Sequence, residues 1–107
     1  HYIEGNSDIT IDGHHKIFIN KSASINNNYD IQVGAGANLN IQVDTGDVNI
    51  HTIRGKINMN AGGDYNLKVG GNYTLSVDGS HSETIAGTRT ESVTGDNTKT
   101  GKTINLN

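Results

Sequence analysis

The sequence predicts an all-β chain assembled from eight-residue units, and three observations lead there. Six glycines stand eight residues apart, at Gly55, Gly63, Gly71, Gly79, Gly87 and Gly95. Two residues before each comes Ile53, Ala61, Val69, Val77, Ile85 or Val93. Apolar and polar residues alternate along the intervening segments, with the two-residue period of an extended strand. A fixed period marks a repeat architecture and outranks any single local motif. Eight residues suit one short strand and a kink. Glycine allows the positive φ that a sharp kink demands, so the six glycines are expected to be structural kinks. The Asp, Asn, Ser or Thr that often follows can hydrogen-bond the backbone at the corner.

Along the chain the octad comes and goes. It opens with Ile3-Glu4-Gly5, Ile11-Asp12-Gly13 and Ile19-Asn20-Lys21, where lysine takes the third glycine's place. Residues 22–52 are less regular but still alternate, at Ile25, Ile31-Gln32-Val33, Leu39-Asn40-Ile41-Gln42-Val43 and Val48-Asn49-Ile50. Gly34, Gly36 and Gly46 interrupt these runs, and the phase slips between Ile19 and Ile53. From Ile53 to Lys99 the register holds. The expected division is therefore a less regular segment, 1–52, and a regular octad segment with its C-terminal end, 53–107. No apolar set recurs with helical spacing.

In the regular segment one parity carries Leu67, Val69, Leu75, Val77, Ile85 and Val93, and these are the expected axial core. The other parity is rich in Ser and Thr, as a solvated face with good strand propensity would be. Beyond Leu75 the apolar parity turns polar, with His81, Glu83, Arg89, Glu91, Asn97 and Lys99. Either these residues sit at corners and reach solvent, or they point inward as polar layers.

Composition limits the alternatives. Only 32% of the residues are hydrophobic, and Trp, Pro and Cys are absent. A broad globular core is unavailable to such a chain, yet the regular spacing of β-branched residues argues against disorder. Missing proline suits strands paired on both sides. A net charge of −3 with no basic run provides no footprint for nucleic acid. No apolar stretch reaches the length of a membrane span. A start at His1 points to a fragment or processed product.

One octad cannot stand alone, because its two buried aliphatics do not offset the entropy of ordering eight residues. Two architectures supply the missing ladders. Three octads of one chain form a coil, or three chains each contribute one octad per turn. Periodicity does not choose between them.

A family resemblance does. Val69-Gly70-Gly71-Asn72-Tyr73-Thr74, Val77-Asp78-Gly79-Ser80-His81-Ser82 and Val93-Thr94-Gly95-Asp96-Asn97-Thr98 resemble the Val-x-Gly-Asn-x-Thr octapeptide of bacteriophage baseplate spikes. In particular they resemble the C-terminal needle of the cell-puncturing lysozyme hub of contractile-tailed phages. Residues 46–64 also resemble the valine-glycine repeat spikes of type VI secretion. The resemblance implies an intertwined triple-stranded β-helix, a homotrimeric β-prism built from octapeptide repeats. It implies a virion structural protein of the tail baseplate, driven through the host outer membrane when the sheath contracts. A secreted spike of a contractile injection system is the alternative location. The family's lysozyme domain lies upstream of its needle, and nothing in this sequence corresponds to it. Related spikes are capped by a small metal-containing tip protein. Ile104 and Leu106, which alternate against Lys102, Thr103, Asn105 and Asn107, are the candidates to dock it.

Other chemistries find less support. His1, His14, His15, His51 and His81 show no ligand spacing, so no metal site and no cofactor are expected. In a trimer, inward Glu83 and Glu91 would repel one another unless hydrated, protonated or paired with a trapped axial ion. The glycine pair at 62–63 before Asp64 does not repeat as a calcium-binding nonapeptide would. Asn20-Lys21-Ser22 and Asn72-Tyr73-Thr74 match the glycosylation acceptor by chance. Tyr65 and Tyr73 are read as core or corner residues rather than a sugar ladder. No catalytic residues are expected, since there is no nucleophile elbow and no cysteine. Two other functions compete with the spike: a trimeric fibre or adhesin stalk, and a fragment of a single-chain β-helix carbohydrate-active enzyme. Both would need long loops between octads, and residues 53–100 have none.

Overall fold

A computed structural model describes residues 2–20 and 27–105. The chain divides into two units, His1–Ile57 and Asn58–Asn107. Neither contains a helix or a strand among the described residues; the backbone is extended and interrupted by bends. This corrects the expected fold class, an all-β triple-stranded β-helix. A strand exists only when a neighbour accepts and donates its ladder hydrogen bonds. Among the described residues no two that are twelve or more positions apart approach within 8 Å. Among the described residues no octad therefore stacks on one three octads away, as a single-chain coil would require. The one backbone–backbone hydrogen bond among the described residues runs from Ala37 N to Gly34 O, at 3.3 Å.

The bends carry the repeat. In the second unit they fall at Gly62–Gly63, Gly70–Gly71, Asp78–Gly79, Ala86–Gly87, Thr94–Gly95 and Lys102. In the first they fall at Glu4–Gly5, Asp12–Gly13 and Asn20, again eight apart. Asn20 has φ +60°. Asparagine tolerates this left-handed conformation better than most side chains, and it precedes the position where lysine replaces glycine. Lys21 and Ile25 lie outside the described residues.

The expected positive φ at the octad glycines is not found. Among the described glycines only Gly36 has it, at +77°. Gly36 is the third residue of the Gly34–Ala37 turn, where a type II turn requires that conformation. At Gly79 an added Cβ would meet nothing within 4 Å. The octad glycines bend at negative φ.

The phase slip has a local cause. Ile31-Gln32-Val33 and Ile41-Gln42-Val43 stand ten residues apart, as do Gly36 and Gly46, and the bends there follow the same ten-residue spacing. A further bend at Ile53–Gly55 is held by Gly55 N donating to Thr52 Oγ1 at 3.2 Å. Ile53 lies within this bend and is 85% exposed, whereas Val69, Val77, Ile85 and Val93 are 42–48% exposed. The Gly55 unit therefore differs from the five that follow.

No described residue is buried. The expected axial core does not close within one chain, because a row of side chains on an extended segment has nothing to pack against. The chain exposes 12201 Å². A folded monomer of its 11.4 kDa would expose about 5,800 Å².

Candidate assembly surface and polar ladder

Eight-residue spacing aligns side chains of the second unit in rows. One row is aliphatic throughout: Val69, Val77, Ile85 and Val93. A second runs Leu67, Leu75, Glu83, Glu91, and a third runs Tyr65, Tyr73, His81, Arg89, Asn97. Both change character between positions 75 and 81. Leu67 and Leu75, at 60% and 59% exposure, are more open than the aliphatic row, which sits nearer its own bends.

Past the change, polar side chains from three successive octads join. His81 Nε2 lies 3.7 Å from Glu83 Oε2. Arg89 Nε lies 2.8 Å from Glu83 Oε1, and Arg89 Nη1 lies 3.3 Å from Glu91 Oε2. Asn97 Nδ2 donates to Glu91 Oε1 at 2.7 Å. Arg89 thus bridges carboxylates one octad apart. Guanidinium suits this role, since its planar fork offers donors in more than one direction. The choice between corner and inward layer takes a third form in the single chain: one continuous, half-exposed ladder along its surface. The counter-charge for Glu83 and Glu91 comes from the chain's own Arg89. At this exposure each ion pair contributes only about 0–1 kcal/mol.

The remaining candidates stand apart. Ile104 is 49% exposed, and Leu106 lies outside the described residues, as does His1. No group of three or more metal-ligating side chains converges among the described residues, and no pocket encloses any of them. Tyr65 and Tyr73 are open to solvent. The ten-residue repeat, the Thr52 cap and the Arg89 bridge go beyond what the sequence reading singled out. Two signals were present: the repeated Ile-Gln-Val-x-x-Gly string, and a basic residue on the same parity between acids eight apart.

Residues 63–86 match the family model of the Gp5 C-terminal repeat, in three copies. The matched stretch spans three octads and contains the octad glycines Gly63, Gly71 and Gly79. No curated protein and no solved structure matches the chain. The matched stretch carries the likeness of this chain to the C-terminal repeat of phage baseplate spikes.

Proposed function

We propose that this chain is a needle segment of a phage tail spike that works as a homotrimer. The carrying observation is its surface, about twice that of a folded monomer of equal mass. A chain with half-exposed aliphatic rows and no buried core among its described residues needs partners, and identical copies present rows of identical spacing. Three copies turning the rows of Val69, Val77, Ile85 and Val93 toward one axis would remove them from water. Ser76, Thr84 and Ser92, of the opposite parity, would stay outside. Such a body does no chemistry; it transmits force. Sheath contraction would drive it through the host outer membrane, with Ile104 and Leu106 at the leading end seating a small metal-containing tip protein. Virion tail location follows from the same reading.

Light scattering on the purified chain tests the assembly. The expected mass is three times the 11.4 kDa chain, and a monomeric mass overturns the proposal.

A further inference from the structure

We infer that the ladder through His81, Glu83, Arg89, Glu91 and Asn97 sets the register in which copies of this chain align. The inference rests on the self-association proposed above. Repeats carry an inherent ambiguity: sliding one copy by eight residues restores every aliphatic contact. Val69 would meet Val77, and Val77 would meet Ile85, at almost no cost. Rows with an unbroken repeat therefore specify association but not alignment, as in strands whose pattern permits slippage.

The second row breaks the degeneracy. Between Leu75 and Glu83 it changes from aliphatic to anionic. A copy displaced by one octad sets a carboxylate of one chain level with Leu75 of the next and leaves Arg89 one level away. Polar groups desolvated against leucine lose hydration without gaining a partner. In register, all ladders lie at one level. Arg89 engages its own Glu83 and Glu91 through Nε and Nη1. A guanidinium has five N–H donors, so the remaining ones can serve a carboxylate of the adjacent copy. The ladder acts as a single polar residue does in a coiled-coil seam, giving up stability to exclude other registers.

The chain has no cysteine, so a single Ser92→Cys substitution allows specific nitroxide labelling for pulsed dipolar distance measurements between copies. With the ladder intact, one narrow interchain distance is expected. In Glu83→Leu/Arg89→Leu/Glu91→Leu the leucine row is continuous. Association should persist, and several distances should appear. Arg89→Leu alone leaves two carboxylates without their cation and should weaken association at least tenfold, with the triple variant restoring it. A single unchanged distance in the triple variant overturns the inference, as does a triple variant that stays monomeric while the unaltered chain assembles. If the unaltered chain is itself monomeric, the self-association reading fails, and this inference falls with it.

Discussion

Arg89 Nε lies 2.8 Å from Glu83 Oε1, six positions back and across the bend at Ala86–Gly87. The guanidinium of one octad thereby neutralises a carboxylate of the preceding one and reaches forward to Glu91. Within one chain the charges of Glu83 and Glu91 are thus partly offset by Arg89.

Val77 and Ser76 are adjacent but of opposite parity. Placing Asp at Val77 should leave the chain monomeric, because three copies would bring three carboxylates onto one apolar level. Asp at Ser76 should leave the assembled mass unchanged. Sedimentation of the two variants beside the unaltered chain checks this pair.

Glycine substitutions should separate backbone strain from packing. Gly36→Ala forces a side chain into positive φ and should cost about 1–2 kcal/mol. Gly79→Ala meets open space and ordinary φ within one chain. It should cost less than Gly36→Ala, by urea titration of the assembled protein. Any larger loss at Gly79 would report a second copy packed against that bend.

The Thr52 hydroxyl accepts from Gly55 N. Thr52→Val keeps the shape and removes the acceptor, so the bend at 53–55 should loosen by about 0.5–1.5 kcal/mol. Hydrogen exchange at the Gly55 amide should quicken several-fold, while the amide of Gly87 exchanges as before.

Ile104→Asp/Leu106→Asp should abolish capture of the phage's own tip protein in a pull-down and leave the assembled mass unaltered. Undiminished capture would put the docking surface elsewhere.

The proposed homotrimer should also resist detergent and heat, since unfolding must separate three chains and becomes a matter of rate. Electrophoresis in dodecyl sulfate without boiling should give a trimer band, which disappears after boiling.

The eight-residue period was legible in the sequence because glycine spacing and side-chain alternation are properties of the covalent chain. The family match over three octads rests on the same pattern. The change from Leu75 to Glu83 was legible too, as was its coincidence with His81 and Arg89. Tertiary structure alone decided how the backbone takes its bends. φ stays negative at Gly79, and among the described residues the left-handed ones are Asn20 and Gly36. It also decided that Ile53, spaced like Val69 from its glycine, lies open within its bend. Above all it decided that, among the described residues, no octad stacks on one three octads away along the same chain. Alternation states which face of a segment seeks cover. What supplies the cover, and with it the hydrogen-bond ladders that make an extended segment a strand, depends on groups brought close in space.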